Sequence, residues 1–522
     1  MPFQATPLNM VGISQDPSPE NIPPTVWNKA INVRFGEFAA NKGSGYIDLA
    51  GPALFAPERL QFIENLNQLF WLYYGPDGVG VWDGTTHSDI TPVGYTSGTR
   101  DLWSDTQLNG VAVSNNFIDG PLFWDFNTTN PLTLLPGWPN GVAGDPTWRC
   151  NTMSAFKFNL FAFGMREDGV ELNDVLRWSA SAAPGNLPSS WIPTASNDAG
   201  SLPIGGTRGR IIDAVALRDQ LLVFKTDSSV SILPVGGTLI YGQRDAYSTI
   251  GMLAPRCGIE YRGRAIVLTD QDVVLTDGVE VESIIDDRNR RALFRELDSS
   301  LFQRSFMAWD PVSAKVAIFI PSINHPNPGS ECNVVYVWDP RDGEWSISVP
   351  GDGMSDYALG FHPPPESGAW DNDPEEWDLD GLPWSEGAPS NSELTLASFE
   401  SELIYGVAAG NLQANGKTIE MELEKLALQF GDVDRITYMN QIWVSADGTY
   451  GAQFTVEAGG HDQGTDQPVY GAPITMTVGE DKQRTLEASG RFIALRFKSI
   501  GDTNFRINGM RINWRDGGRY AA

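Results

Sequence analysis

The groups that could do chemistry are few and dispersed. Four histidines, His87, His325, His362 and His461, sit in a chain of 522 residues with no two at metal-binding spacing and no HExxH run. The three cysteines, Cys150, Cys257 and Cys332, are odd in number and too far apart for a zinc site or a disulfide framework. They read as buried thiols of a protein made in a reducing cytosol. Asp371, Asp373 and Glu375 alternate as the first ligands of a calcium loop would, but Pro374 intrudes and the glycine that such a loop needs is missing. No nucleophile elbow, phosphate-binding loop or dinucleotide-binding glycine run occurs in a strand–turn–helix setting. Asp and Glu are plentiful, 65 in all, yet no spacing singles out an acid–base pair. No catalytic, cofactor-binding or metal-binding residue is therefore assigned, and no enzyme is expected.

Charge is more informative. The formal net charge of −29 argues against ordinary nucleic-acid binding, which needs a basic surface to displace counterions. The bases that are present cluster. Arg288, Arg290, Arg291 and Arg295 fall in "IIDDRNRRALFRELDSSLFQRSF", and a second run from Lys482 to Arg519 includes Arg511 and Arg515. Such asymmetry suggests contact with an acidic neighbour, so Arg288, Arg291, Arg295, Arg511 and Arg515 are candidate subunit or partner contacts. Residues 342–416 contain no Lys or Arg. Within them, 365–392 place Trp370, Trp377 and Trp384 among acids at seven-residue intervals. Pro374 and Pro383 rule out a continuous helix there, so this reads as an acidic insertion whose tryptophans are further candidate contacts.

The elements that must carry these residues are mostly short strands, as 54 Gly and 35 Pro suggest. Residues 1–50 read as an extended N-terminal arm. Paired apolar runs then recur near 67–84, 109–126, 158–181, 218–235, 262–278, 313–345 and 400–416. Each turns through Gly, Asp, Asn or Ser. Spacings of this size indicate a β-propeller of about six or seven degenerate blades over 51–415. Three runs close on Trp-Asp, at Trp82-Asp83, Trp124-Asp125 and Trp338-Asp339, where the ring can pack on an adjacent blade while the carboxylate caps the turn. The Gly-His that accompanies Trp-Asp in WD40 repeats is absent from these runs. One inter-blade helix is expected from Leu293, Leu297 and Leu301, capped by Asp286 or Asp287. From Lys417 onward, alternating apolar and polar residues predict a C-terminal β-sandwich over 417–522. "SADGTYG" (445–451) resembles the Asp-box of sialidase propellers but occurs once, outside the blades, and reads as a hairpin turn. No apolar run is long enough to span a bilayer, and "MPFQATPLNM" lacks the pattern of a secretory signal.

The series "LRDQLLVFKTDSSVSILPV", "CGIEYRGRAIVLTDQDVVLTDG", the Arg-rich helix and "KVAIFIPS…NVVYVWDP", with the closing "GRFIALRFKSIGDTNFRINGMRINW", resembles the tail hub or nozzle proteins (tail tubular protein B) of short-tailed bacteriophages. The matching order covers about 210–345 and 485–515. The resemblance implies an all-β structural virion protein without catalytic residues. It implies six copies in a ring between the adaptor under the portal and the distal tail or fibre proteins. Double-stranded DNA would pass through the lumen during ejection without sequence-specific binding. It would be made in the host cytoplasm and reside in the phage tail. The alternatives are a receptor- or glycan-binding fibre module and, further off, a polysaccharide-degrading enzyme.

Overall fold

The computed structural model describes the chain except residues 1–3, 37, 66–67, 96–99, 101–102, 140–147, 238, 286, 325–330, 362–392, 408–411, 432–434, 464–466 and 520–522. Trp370, Trp377 and Trp384 lie outside the described residues, as do Asp286, His325, His362 and the acids Asp371, Asp373 and Glu375.

Six four-stranded antiparallel sheets and the first four strands of a ten-stranded sheet form the seven blades of a β-propeller. Blades 1 to 6 start with the strands Arg59–Asn65, Ser104–Leu108, Trp148–Phe156, Ile211–Ala216, Gly258–Tyr261 and Phe306–Asp310, and each runs through four consecutive strands. These first strands lie side by side around the axis, and Asp356–Gly360, the first strand of blade 7, closes the circle against Arg59–Asn65. The paired apolar runs legible in the sequence are second and third strands. The second strands are apolar because both of their faces are covered. Leu221–Lys225 and Lys315–Ile320 are buried along their whole length between adjacent blades, whereas the innermost strands carry polar residues toward the channel.

The Trp-Asp pairs occupy one equivalent position. Trp82 and Trp338 end the third strands Val79–Trp82 and Val334–Trp338, and Trp124 directly follows Leu122–Phe123. All three are buried. Trp124 of blade 2 meets Phe70 of blade 1 edge-on, with ring centroids 4.9 Å apart. The aspartates close the turn to the fourth strand. Asp83 Oδ1 accepts the Thr85 and Thr86 N–H groups at 2.9 and 2.8 Å, Asp125 Oδ1 accepts that of Asn127 at 3.1 Å, and Asp339 Oδ1 that of Arg341 at 3.0 Å. Asp277, without a tryptophan, does the same in blade 5.

Residues 1–50 are not a free arm. Gln4–Leu8 pairs with Phe505–Arg519 at the other end of the chain, and Val33–Gly36 and Ala39–Lys42 extend the same sheet beyond Phe505–Arg519. Tyr46–Asp48 supplies the fourth strand of blade 7. Lys29–Ile31 lies between Trp345–Ser348 of blade 6 and Glu422–Leu428, so one sheet runs from the propeller into the second domain. That domain is a pair of facing β-sheets, as expected, but it is built from both chain termini rather than from 417–522 alone. Phe454 of one sheet stacks on Phe505 of the other at 5.4 Å. "SADGTYG" links strands of different sheets and is not a hairpin turn within one sheet.

The helix is shorter than expected, Arg290–Glu296, and Leu297 and Leu301 fall outside it. Its cap comes from afar. Neither Asp287 nor its own N-cap residue Asn289 caps it; Asp16 accepts the N–H groups of Arg291 and Ala292 at 2.7 and 2.8 Å. Six to ten residues further on, the same N-terminal segment is pinned to the second domain. The Lys425 ammonium donates to the carbonyls of Ile22, Pro23 and Val26 at 3.1, 2.8 and 2.8 Å, and its burial lowers its pKa to about 7. We expect Asp16→Ala to lower stability by about 1 kcal/mol through loss of this cap. Chemical denaturation checks this; an unchanged midpoint would mean that the carboxylate contributes nothing.

Candidate functional site

The densest ionic cluster lies in the propeller channel, where the first strands begin. Asp356, the first residue of its strand, has no exposed surface. Its Oδ2 accepts the Leu60 N–H at 2.7 Å and meets Arg256 Nη1 at 2.5 Å, while Oδ1 lies 3.5 Å from Arg59 Nη1. Arg256 arises in the loop entering blade 5. Its Nη1 also lies 3.4 Å from Asp105 of blade 2, and its Nη2 donates to the Tyr357 carbonyl of blade 7 at 2.8 Å. In a seven-bladed ring, blades 5 and 2 stand on opposite sides of the axis. The Arg256 side chain therefore bridges the channel.

The backbone is arranged to permit this. Arg256 adopts φ 64°, a left-handed conformation unfavourable for a non-glycine residue, and its N–H is held by Asp213 Oδ2 of blade 4 at 2.9 Å. Its carbonyl accepts the Met307 N–H of blade 6 at 3.0 Å. Burial raises the carboxyl pKa of both Asp356 and Asp213, with the guanidinium groups working against it. Burial also opposes the Arg256 charge, but Asp356 and Asp105 outweigh it and hold that group above its ordinary pKa.

Further hydrogen bonds cross the seams between blades, some of them away from this network. Gln61 Nε2 donates to the Thr106 carbonyl at 2.8 Å, Ala155 N to Thr106 Oγ1 at 3.0 Å, and Tyr241 Oη to Asn159 Oδ1 at 2.7 Å. Blades 6 and 7 exchange backbone bonds between Cys332 and Met354. Beside the axis, the buried Glu331 is held by Arg100 and Arg304. Arg100 also reaches Glu58 at 3.1 Å and lies 3.4 Å over the Phe399 ring. The arrangement locks blades together and closes the propeller's own channel. Its carboxylates are consumed by arginines and backbone donors, so it offers no exposed acid–base pair.

Sequence reasoning missed this cluster, because its members come from five blades and share no spacing. The signal that could have found it is a charged residue at the entrance of a first strand: Arg59, Asp105, Arg256 and Asp356 all stand there.

The expected contact residues are not brought together. Arg288 is half-buried, and its carbonyl accepts the N–H groups of Gln15 and Asp16 at 2.8 Å each. Arg291 is exposed. Arg295 lines a cleft of about 600 Å³ at the junction of the two domains, facing Glu296, Glu420, Glu422 and Glu424 of its own chain. Part of the basic run at the C-terminus is neutralised within the domain, by Arg496 with Glu457, Lys498 with Glu422 and Arg506 with Asp447 across neighbouring strands, and by Arg484 with Asp481 in the turn before its strand. Arg511 and Arg515 remain on the exposed face. The three cysteines are buried free thiols. No group of His, Cys, Asp and Glu suited to a metal ion occurs among the described residues, and among them no helix is long and apolar enough to cross a membrane.

Neither a protein-family model nor a curated protein matches the chain. Solved structures do match in architecture. The β-propeller domain of Cps50 (Swd1) from Myceliophteria thermophila is 12% identical with a TM-score of 0.39, covering 68% of this chain and 96% of that one. The extracellular domain of a one-component system protein of B. thetaiotaomicron is 8% identical with a TM-score of 0.39, over 90% of this chain and 63% of that one. The AfRom2 CNH domain is 7% identical with a TM-score of 0.36, over 70% and 100%. The propeller itself is established by the closed ring of sheets, and these likenesses carry no function to this chain.

We expect Arg256→Met to cost about 3–5 kcal/mol, because the buried Asp356 loses its nearer cation and keeps only Arg59 at 3.5 Å. Combining it with Asp356→Leu should recover much of that loss. The sign of the pH effect follows from the raised Asp356 pKa. Its favourable contribution is complete below the unfolded value and is lost as pH rises through the folded one, so Arg256→Met should be less destabilising at pH 5 than at pH 8. Equal losses at both pH values, measured by urea unfolding, would remove Asp356 as the cause.

Proposed function

We propose that the chain is a structural subunit of the tail nozzle, or hub, of a short-tailed bacteriophage. It would assemble head-to-tail with further copies, six in the full ring, into part of the DNA ejection conduit. The observation that carries this reading is the order of parts. The segments that resemble hub proteins fall on blades 4 to 6 of the propeller, on the short helix between blades 5 and 6, and on the last two strands of the second domain.

The bridged channel adds a constraint. Arg256 crosses the propeller axis, so a genome would pass between copies, along a lumen walled by their outer surfaces. Duplex DNA carries one negative charge per roughly 1.7 Å of its axis, and a basic wall would grip it by counterion release. A wall past which DNA slides is best acidic, and the net charge of −29, repeated in each copy, supplies that. Neighbours would be the adaptor below the portal and the distal tail or fibre proteins. The copies would be made in the host cytoplasm and reside in the virion tail.

Cryo-electron microscopy of the assembled tail tests this. We expect the chain in a six-fold ring, with Asp and Glu outnumbering Lys and Arg among side chains facing the lumen. A chain placed in a trimeric fibre would overturn the assignment. A ring with a lumen dominated by Lys and Arg would overturn the sliding argument alone.

A further inference from the structure

The second domain leaves one sheet face uncovered. Across the strands Gln483–Gly490, Arg435–Gly448, Phe505–Arg519 and Gln4–Leu8, three rungs of paired residues point outward. Tyr438 sits opposite Arg515, Gln441 opposite Asn513, and Trp443 opposite Arg511. The neighbours Met439, Ile442 and Val444 are buried on the other side, as strand alternation requires. The Arg515 guanidinium lies 5.0 Å over the Tyr438 ring, and Asn513 Nδ2 donates to Gln441 Oε1 at 3.4 Å. Arg511 is exposed and makes no ion pair among the described residues. Asp447, at the end of the sheet, is taken by Arg506 at 2.5 Å, and Glu487 borders the rungs on the edge strand. Trp, Tyr and Arg are the residues that dominate binding energy at protein interfaces.

The distribution of charge points to the occupant. Residues 417–522 carry 12 Lys and Arg against 14 Asp and Glu, so almost all of the net charge of −29 lies in 1–416. Residues 342–416 carry 15 acids and no base, and blades 1 and 2 are strongly acidic as well. Between residues 60 and 148 there are nine acids and a single base, Arg100, which is bound by Glu58 and Glu331. Asp83, Asp89 and Asp125 are exposed at the outer ends of these blades. Two copies meeting face to face through the sandwich sheet would set Arg511 and Arg515 against like charges, which disfavours a two-fold dimer. A head-to-tail contact, sheet face on acidic rim, satisfies both surfaces and suits a closed ring.

We propose that the exposed sheet face around Trp443, Arg511 and Arg515 docks on the acidic outer rim of blades 1 and 2 of a second copy of this chain. The inference rests on the nozzle reading only in taking a second copy as the partner.

Sedimentation velocity of the full chain over a range of concentration and salt tests it, with two variants. Arg511→Glu with Arg515→Glu reverses one surface. Asp83→Asn with Asp89→Asn and Asp125→Asn neutralises the other, while each amide oxygen can still accept the turn N–H groups. We expect wild-type self-association at low salt that weakens as salt rises, a loss of about tenfold or more in association constant in each variant, and thermal melting close to wild type in the second. Association that is equal in wild type and both variants would overturn the docking and leave the nozzle reading intact, as would a wild type that stays monomeric throughout. An imaged tail in which the chain forms no ring would overturn the nozzle reading, whatever the variants do.

Discussion

Everything in this molecule depends on closing a circle of sheets with strands that are remote in sequence. Without its remote fourth strand, blade 7 would present the open edge of Leu403–Val407, with its backbone donors and acceptors. Here Tyr46–Asp48 completes the blade whose other strands end at Val407, so the ring is sealed by pairing residues some 360 positions apart. The second domain has the same dependence, since Gln4–Leu8 lies on Phe505–Arg519. Lys29–Ile31 joins the two domains in one sheet. The first 48 residues are thus structural members of both units and set their relation.

Ring closure fixes the perimeter, and the ionic cluster fixes the centre. Burying Arg256 with Asp356 is costly in desolvation, and a well-packed apolar plug would stabilise as much or more. What the charged bridge adds is direction. Arg256 has to satisfy Asp105, Asp213, Asp356 and the Tyr357 carbonyl through defined donors, so the blades that supply them have one rotational setting.

The legible parts of the fold were those whose signal is local. Second and third strands such as Gln68–Tyr74 and Val79–Trp82 announce themselves because burial between blades demands continuous apolar residues, and Trp-Asp marks a turn that its own carboxylate closes. The first strands were obscured by residues such as Arg59 and Asp356, whose polarity serves the channel rather than solvent. The N-terminal strands were read as an arm because a segment such as Gln4–Leu8 has no pattern of its own; its partner supplies the reason for its conformation. The helix was over-extended because the leucine stripe outlasts the single buried turn at Leu293, and its cap was misplaced because the capping carboxylate, Asp16, is 275 residues away from Arg291. The basic C-terminal run was visible as a count, but ion pairs take up Arg484, Arg496, Lys498 and Arg506, and the register that turns Arg511 and Arg515 outward shows only in the structure.

The pairing of the first strand with the last has a consequence for the life of the chain on the ribosome. Synthesis proceeds at roughly 5–20 residues per second, so about half a minute to nearly two minutes separates the emergence of the N-terminus from that of its partner strand. Throughout that interval Gln4–Leu8 waits without its ladder, and blade 7 lacks a place to anchor until the chain has passed Val407. Neither domain can reach its final form as a vectorially folded unit. The nascent protein must hold a set of exposed strand edges until translation is almost over, and such a chain has reason to be strongly charged. The acidity of the chain would keep its unfinished precursors from sticking to one another.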